Sequence, residues 1–545
     1  MDTNMIFINM PLRSFFIVVL MLMLSANILA QSKRFSFKNL FHSSAIKPTM
    51  KTAESSSKNT DNLYRPAIHF TPKAGWMNDP NGMIYVNGVY HLYYQHNPKA
   101  SVWGPMHWGH ATSKDLIHWK HQKIALYPNA LGTIFSGSAV IDSNNTSGFG
   151  KGRRAPLVAI YTQHSMEGEK AGRDDFQNQS ISISLNAGKT FRTYKGNPVI
   201  KTPNLRDFRD PKVFWYEPTS KWIMSLAVGD HIEFYSSPNL RDWTKESDIG
   251  GPSMGVHDGN WECPDLVSFD VNGKKHWVLI VNVNPGAPAK GSGTQYFVGS
   301  FDGHFFKPYD RKEKWMDYGA DNYAGVTWNN TGDKKILAGW MSNGLYAQVV
   351  PTQKWRSGLT IPRELTLIKR ADSTKEDYLL SSKPIERVEK LEKWWGSEHE
   401  KNKSLSKPYT INKKHGIAPA RLKLTMDTTN SFEIILSNIK GERFVIGYNA
   451  ATKQYFMDRT KSGITSFHPD FAAMHTAPRF SSEKNIQLDL IIDNASVELF
   501  ADNGLTVMTE LFFNTKPFSK IEIASPKKQH SIIRQLSFHF LKEIF

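Results

Sequence analysis

Cysteine is almost absent from this chain of 545 residues, since Cys263 is the only one. An intramolecular disulfide is therefore excluded. Long amphipathic helical patterns are also scarce, which disfavours a mainly helical fold. The chain is 40% hydrophobic and 12% aromatic, which is enough for two domains that are each held by an apolar core.

Acidic residues are fewer than basic ones: 67 Lys and Arg against 50 Asp and Glu give a formal net charge of +17. A nucleic-acid or acidic-polymer partner is one interpretation of such a surplus. The basic residues are scattered, however, and denser groups fall in polar stretches such as "KNKSLSKPYTINKKHG". The pattern favours a basic, solvated surface and no nucleic-acid partner.

The first 30 residues are typical of a secretory signal. An apolar core from Ser14 to Leu24 follows Arg13 and gives way to small and polar residues that end at Ala30. This core is too short to span a bilayer comfortably, so a permanent anchor is the weaker alternative. The sequence predicts a secreted or periplasmic protein that is not inserted in a membrane after cleavage, and it leaves the oligomeric state open.

Residues 31–62 are rich in Ser, Lys, Thr and Asn and lack an apolar period, which predicts a flexible linker. Short strands bounded by turn residues follow from Phe70 onward. A recurring phrase opens five of them, and it reads "NDPNGMIYV", "FSGSAVI", "RDPKVFWY", "ECPDLVSF" and "DNYAGVTW". A second phrase of Ser, a turn residue and an aromatic begins at residues 113, 184, 236 and 300, a spacing close to one four-stranded blade. The repeats predict a five-bladed β-propeller over residues 63–370.

The first strand of each propeller blade lies innermost, so the five openings converge at one end of the central channel. The sequence therefore predicts that Asp79 faces Asp210, Glu262 and Asp321, although these residues are far apart in the chain.

The second half of the chain changes character. Residues 371–410 are polar and rich in Lys and Glu, which predicts a connecting segment with a short helix in "PIERVEKLEKWW". Alternating strands with turn signals fill residues 411–545 and predict an antiparallel β-sandwich that packs against the propeller. The predicted fold class is all-β, with no catalytic cluster in the sandwich.

Carboxylates that converge in an aromatic funnel suit glycoside cleavage, in which one protonates the leaving oxygen and the other attacks or guides water. A hard cation such as calcium is the rival ligand, but the chain has no dense oxygen-ligand loop. Each Asp-Pro motif alone is explained by a tight turn. The aromatic and polar residues around them favour a sugar site, and they are Trp76, Gln95, Trp103 and Trp340.

The motifs "WMNDPNG", "FSGS", "RDP" and "ECPD", in this order and with a β-sandwich behind them, resemble glycoside hydrolase family 32. This family contains invertases, inulinases, levanases and exo-acting fructan β-fructosidases, and the resemblance covers residues 63 to 545. It implies a five-bladed propeller joined to a β-sandwich and a retaining hydrolysis of β-fructofuranosides. It also implies that no metal or organic cofactor takes part, and that the substrate is a fructan or sucrose.

When the roles of the family's residues are transferred to the matching motif positions, the resemblance implies that Asp79 is the nucleophile, Glu262 the acid and base, and Asp210 the transition-state stabiliser. The residues that it places around the sugar are Trp76, Asn78, Gln95, Trp103, Phe135, Ser136 and Arg209, with Asp321 and Trp340 as outer contacts. "DNYAGVTW" departs from the Ala-Gln form of invertases and is similar to levanase-like members, which favours fructan over sucrose.

The sequence also suggests roles for two residues that are adjacent to the acids. Arg209 is expected to help keep the adjacent Asp210 charged. Cys263 adjoins the acid, but it has no evident partner base, so packing is favoured over nucleophilic chemistry.

Other functions remain open on the sequence. A fructan-binding protein with unreactive acids would share the scaffold. Transfer of fructose to another sugar would use the same intermediate, and an endo-levanase or an invertase would use the same site. A five-bladed glycosidase for arabinan or xylan would lack the combination of "WMNDPNG" and "ECPD". The sequence decides neither levan against inulin nor chain-end against internal attack.

Overall fold

The structure is a computed structural model that describes residues 57–370, 376–427, 429–526 and 531–544. The predicted signal lies outside the described residues, as does the predicted linker up to residue 56. Two α-helices, α1 (Ser57–Tyr64) and α2 (Met166–Lys170), and two 3₁₀ helices (Glu217–Thr219 and Glu386–Leu391) accompany many strands. None of the helices in these ranges is long and apolar enough to span a membrane.

The linker prediction is wrong for residues 57–62, which belong to α1. The Asp61 carboxylate accepts hydrogen bonds from the backbone N–H groups of Gln353 at 2.7 Å and Lys354 at 3.1 Å. Tyr64 is fully buried, with its ring 5.2 Å from that of Phe513. These partners are distant in the chain, and a local polar pattern does not show them.

The propeller consists of five sheets, each with four main strands. Blade I contains β1 (Gly75–Val86), β2 (Val89–Asn97), β3 (His107–Ser113) and β4 (Lys120–His121). Blade II contains β5 (Thr133–Ile141), β6 (Leu157–His164), β7 (Gln177–Ser184) and β8 (Arg192–Thr193). Blade III contains β9 (Phe208–Tyr216), β10 (Lys221–Val228), β11 (His231–Ser237) and β12 (Thr244–Gly250).

Blades IV and V carry extra short strands. Blade IV contains β13 (Asn260–Val271), β14 (Lys274–Asn284), β15 (Gly293–Phe301) and β16 (Phe306–Pro308), and β17 (Lys314–Trp315) pairs with β15. Blade V contains β18 (Tyr323–Thr327), β19 (Lys335–Met341), β22 (Arg363–Lys369) and β23 (Tyr378–Pro384), and β21 (Gly358–Leu359) pairs with β19. The remaining strand, β20 (Trp355–Arg356), belongs to blade I.

The blades form a closed ring. The innermost strands β1, β5, β9, β13 and β18 contact one another in that order, and β18 contacts β1 in turn. Strand β20, which follows blade V strand β19 in the chain, lies parallel to β1 with Gly75 opposite Trp355. The five-bladed propeller predicted from the repeats is confirmed.

The predicted domain limits need correction. Strand β23 pairs with β22 along its whole length, so the propeller continues to Pro384 and not only to residue 370. Strand β24 (Glu398–Ser404) already pairs with the last strand of the sandwich. The connecting segment predicted for 371–410 is therefore limited to the residues between β23 and β24. Most side chains of β24 are exposed or half-buried, because it is an edge strand, and its sequence therefore resembles a loop.

The sandwich consists of two antiparallel sheets of six strands. The first contains β24, β26 (Ala420–Asp427), β31 (Asn485–Ile492), β32 (Ser496–Ala501), β33 (Thr506–Leu511) and β35 (Ile532–Phe540). The second contains β25 (Tyr409–Asn412), β27 (Phe432–Ser437), β28 (Arg443–Asn449), β29 (Gln454–Lys461), β30 (Met474–Pro478) and β34 (Lys520–Ala524). Phe432, Ile434 and Leu436 alternate with more exposed residues along β27 and enter the shared apolar core.

Buried charges join the two domains. Arg363 of the propeller donates to Glu498 of the sandwich at 3.1 Å and to Asp317 at 3.0 Å. The His69 ring lies 2.7 Å from both Asp493 and Glu498. Burial alone would lower the pKa of His69, but these two carboxylates raise it to about 9. The imidazolium form of His69 therefore stabilises this junction.

Candidate active site

The innermost strand of every blade is irregular where its opening motif stands. The pairing register skips Asn78 and Asp79 in β1, and it skips Cys263 and Pro264 in β13. Similar irregularities fall between Ile134 and Gly137, around Asp210 and Pro211, and between Tyr323 and Val326. A bulge bends the strand and redirects a side chain, and it also accommodates a proline that has no N–H for the ladder. The motifs therefore turn polar side chains into one end of the channel.

Three of the four predicted acids meet there. The Cys263 sulfur lies 3.5 Å from Asp79 Oδ2 and 3.6 Å from Asp210 Oδ2. Arg209 joins the third acid to this group, with Nη2 2.7 Å from Glu262 Oε1 and Nε 4.0 Å from Asp210 Oδ2. The carboxylates come from blades I, III and IV.

Both oxygens of Asp79 accept hydrogen bonds. Asn78 Nδ2 donates to Oδ1 at 2.9 Å, and Ser136 Oγ donates to Oδ2 at 2.7 Å. Burial raises the pKa of Asp79 above its usual range, and these two hydrogen bonds oppose the shift. Asp79 is only partly buried, so its carboxylate remains open to a ligand.

Gly82 explains the glycine of the "NDPNG" motif. Its φ is +55°, and a Cβ at this position would lie 2.6 Å from the Trp108 ring and 2.8 Å from the Tyr93 ring. Only glycine combines this backbone conformation with such close packing. The turn after Asp79 is thereby fixed against the wall of blade I.

Asp210 lies deeper than Asp79 and is 6% exposed, with a φ of 64°. Its backbone N–H donates to Thr162 Oγ1 at 3.0 Å, and its Oδ2 accepts the backbone N–H of Cys263 at 3.0 Å. Burial raises the pKa of Asp210 to about 7, although the Arg209 charge opposes the shift. Arg209 therefore favours the charged form of Asp210, as expected from the sequence, but burial outweighs it because Arg209 approaches Glu262 and Asp207 more closely.

Glu262 has partners on both oxygens. Arg209 donates to Oε1 from Nε at 3.2 Å and from Nη2 at 2.7 Å. The Tyr323 hydroxyl donates to Oε2. The side chain of Glu262 is 21% exposed, so its orientation is fixed while it stays accessible.

Aromatic rings line the same end of the channel. The Trp76 ring lies 5.9 Å from that of Trp340, and its Nε1 donates to Asn78 Oδ1 at 2.7 Å. On the other side, Phe135 packs edge-on against Trp103 at 6.1 Å and stacks on His164 at 4.2 Å. These contacts connect the predicted aromatic residues to Asp79 through Asn78 and through Ser136, the neighbour of Phe135.

Two buried donors in this region have no acceptor within the described part of the chain. They are Gln95 Nε2 and Trp340 Nε1. Buried polar groups are normally satisfied, so such donors are available to a polar ligand. Among the described residues, no three or more His, Cys, Asp and Glu side chains form a group that could hold a metal ion.

The prediction for Asp321 is wrong. This side chain is fully buried at the junction with the sandwich, where Arg459 Nη1 lies 2.6 Å from Oδ2 and the Tyr346 hydroxyl donates to Oδ1 at 2.7 Å. The irregularity that follows turns Tyr323 toward the site instead.

Three residues near the acids were missed from the sequence. Tyr323 stands inside the quoted motif "DNYAGVTW", which is the only signal that points to it. Asp207 pairs with Arg209, and His164 stacks on Phe135. These two lie in a polar loop and at a strand end that carry no motif.

Family models match both domains. Residues 69–383 match the Glycosyl hydrolases family 32 N-terminal domain, and residues 385–539 match the Glycosyl hydrolases family 32 C terminal. The chain belongs to glycosyl hydrolase family 32. The resemblance seen in the motifs is confirmed, and this family 32 member is a glycosidase.

Relatives of known activity extend over most of the chain. A levanase of Bacillus subtilis is 42% identical over 504 residues, 89% of this chain and 71% of the relative. An extracellular exo-inulinase of Aspergillus niger is 38% identical over 498 residues, 84% of this chain and 90% of the relative. The crystal structure of an exo-inulinase from Aspergillus awamori has a TM-score of 0.82 and 34% identity, and the match covers 89% of this chain and 100% of that one.

Proposed function

We propose that this family 32 enzyme cleaves β-D-fructofuranosidic bonds with retention and releases fructose from levan-type or inulin-type fructans. The observation that carries the proposal is the arrangement of Asp79 and Glu262. Each carboxylate lies at the same end of the propeller channel, each is held by donors on both oxygens, and each remains partly accessible. Retaining glycosidases need two carboxyl groups about 5 Å apart on either side of the scissile bond.

In the first half of the reaction, Asp79 attacks the anomeric carbon of the terminal fructose. A bond forms between the Asp79 carboxylate and this carbon while the glycosidic C–O bond breaks. Glu262 gives its proton to the departing oxygen, so the leaving sugar departs as a neutral alcohol. The hydrogen bonds from Asn78 and Ser136 hold the Asp79 carboxylate in place for this attack.

In the second half, water cleaves the fructosyl ester. Glu262 now takes a proton from water, the water oxygen bonds to the anomeric carbon, and the ester bond to Asp79 breaks. Two inversions at the same carbon give retention. Both carboxyl groups return to their starting protonation states.

Asp210 acts on the hydroxyl groups of the fructose ring. With a pKa of about 7, raised by burial, Asp210 is mainly protonated at mildly acidic pH. A neutral carboxyl group both donates and accepts hydrogen bonds, which suits neighbouring sugar hydroxyls. The buried donors Gln95 Nε2 and Trp340 Nε1 supply further contacts to ring oxygens.

The preference for fructan over sucrose rests on the relatives. The levanase and the exo-inulinases are similar over most of the chain, while an invertase of Saccharomyces cerevisiae is 36% identical over 500 residues. The exo-inulinases are named as extracellular, which supports export of this protein.

A product time course tests the proposal. The protein is incubated with levan, inulin and sucrose, and the products are separated at early times. Fructose alone is expected from the fructans, with the β-anomer appearing first by NMR. A ladder of oligosaccharides would contradict release from chain ends, an α-anomer would contradict retention, and no fructose from any substrate would contradict the activity.

A further inference from the structure

A propeller segment continues a sheet of the sandwich. Strand β33 is the last strand of its sheet, and residues 317–322 of the propeller run beside it. The backbone N–H of Tyr318 donates to the Val507 carbonyl at 2.8 Å, and that of Asp321 donates to the Thr509 carbonyl at 3.1 Å. The segment thus covers the edge of the sandwich.

Carboxylates fix both ends of this segment. Asp317 accepts from the backbone N–H and the hydroxyl of Thr509 at 2.8 and 2.6 Å. Asp321 accepts from Arg459 at 2.6 Å and from the backbone N–H of Leu511 at 2.8 Å. Hydrogen bonds to charged groups are stronger than those between neutral groups. The sandwich therefore holds the segment tightly at residue 321.

Tyr323 follows after one residue. It begins β18, and its hydroxyl donates to Glu262 Oε2. The intervening Asn322 is itself tied down, since its Nδ2 donates to Asp317 Oδ2 at 3.2 Å. A fixed backbone at Asp321 thus leaves Tyr323 little freedom to move relative to Glu262.

We propose that the β-sandwich positions the acid of the active site. Arg459 and Asp321 are positioning residues: they anchor the backbone before Tyr323, and Tyr323 orients Glu262 Oε2 toward the leaving oxygen. This rests on the role of Glu262 proposed above. Since proton transfer requires hydrogen-bond geometry, a displaced Glu262 protonates poor leaving groups less well.

The buried ion pair between Arg459 and Asp321 could serve only to stabilise the folded protein. A similar ion pair far from the active site is therefore needed as a control. Arg479, Asp502 and Tyr455 form one within the sandwich. Arg479 Nε lies 2.8 Å from Asp502 Oδ2, and the Tyr455 hydroxyl donates to the same oxygen at 2.7 Å. The junction contains the same combination of residue types, because Asp321 accepts hydrogen bonds from Arg459 and from the Tyr346 hydroxyl.

The experiment compares two leaving groups. Sucrose needs a proton from the acid, whereas p-nitrophenyl β-D-fructofuranoside has a leaving group that departs without one. For Asp321→Asn and the milder Arg459→Lys, we expect kcat/KM on sucrose to fall at least about tenfold while the aryl substrate loses less than about threefold. Tyr323→Phe should show the same selective loss.

The matched variants Asp502→Asn and Arg479→Lys should affect both substrates equally, whatever their thermal unfolding midpoints. Equal losses on the two substrates for Asp321→Asn and Arg459→Lys would overturn the proposal and leave a purely structural role. A wild-type protein that cleaves neither substrate would instead refute the proposed function. The two failures are therefore distinguishable.

Discussion

Arg209 donates to one oxygen of Glu262 from two nitrogens, at 3.2 and 2.7 Å, while it stays 4.0 Å from its sequence neighbour Asp210. The guanidinium group thus bridges blades III and IV. With Tyr323 on the other oxygen, the Glu262 carboxyl group is held in one orientation.

Arg209→Lys should impair this arrangement, because an ammonium group cannot reproduce the two-nitrogen contact. We expect kcat/KM on inulin to fall about 100-fold, as is typical when a reacting group is misplaced. Steady-state kinetics measure the effect, and circular dichroism checks the fold. A loss below a factor of about three would show that the contact does not orient Glu262.

Asp79→Asn should reduce turnover by several orders of magnitude, because an amide cannot act as the nucleophile. Fructose release from inulin is the measurement. Asp230→Asn is the control, since this exposed carboxylate lies in the turn between β10 and β11. A normal rate for Asp79→Asn would place the nucleophile elsewhere.

Loss of the proton from Asp210 should lower the free energy of unfolding as the pH rises. Its folded pKa of about 7, raised by burial, exceeds the unfolded value, so the folded state binds the extra proton between about pH 4 and pH 7. Its stabilising contribution is present at low pH and is lost as the pH rises through this window.

The variant Asp210→Asn isolates that effect. The free energy of unfolding of the variant relative to wild type should increase by about 4 kcal/mol from pH 4 to pH 8. Urea unfolding at both pH values measures it, with Asp333→Asn, at an exposed carboxylate, as the control. A difference that is independent of pH would contradict the raised pKa of Asp210.

Two buried histidines should limit stability in acid. His91 Nδ1 lies 3.1 Å from His110 Nε2, and burial lowers the pKa of His91 to about 4 and that of His110 to about 3. The unfolded chain therefore binds more protons than the folded one below about pH 6.5. The stability that the neutral rings contribute is present above this pH and is lost as the pH falls.

His110→Gln should reduce that loss, since glutamine does not titrate. The decrease in the thermal unfolding midpoint between pH 7 and pH 4 should be smaller in this variant than in wild type. His415→Gln is the matched control, because the His415 side chain is exposed. An identical pH response in wild type and His110→Gln would rule out this origin of acid sensitivity.

Cys263 should behave as a packing residue. Burial and the surrounding carboxylates raise the pKa of its thiol, so the reactive thiolate is suppressed. We expect Cys263→Ala to keep activity within about tenfold of wild type, since the 3.0 Å hydrogen bond to Asp210 comes from the backbone and the thiol is only a weak donor to Asp79 and Asp210. Iodoacetamide should modify the thiol only after unfolding, and rapid inactivation of the native protein would contradict this.

The repeats predicted the ring, and the motifs predicted where Asp79, Asp210 and Glu262 meet. Residue order could not distinguish Asp321 from Tyr323, because the irregular pairing after the first residues of β18 decides which of them turns toward the channel. The true junction partner, Arg459, lies 138 residues further along the chain.

The domain limits were missed for a different reason. Strand β24 is an edge strand and has the composition of a loop, so its pairing with β35 is a long-range property. Local patterns report which side chains face water, and they do not report which strand lies alongside.

The charged junction has a consequence for protein engineering. Arg363 and His69 find their counter-charges on Glu498 and Asp493, across the boundary between the halves. A chimera that joins this catalytic half to a foreign C-terminal half would leave His69 without a counter-charge and Arg363 with Asp317 alone, unless the donor supplies both acids. Exchange between relatives should therefore succeed only when the donor half carries acids at the positions of Asp493 and Glu498.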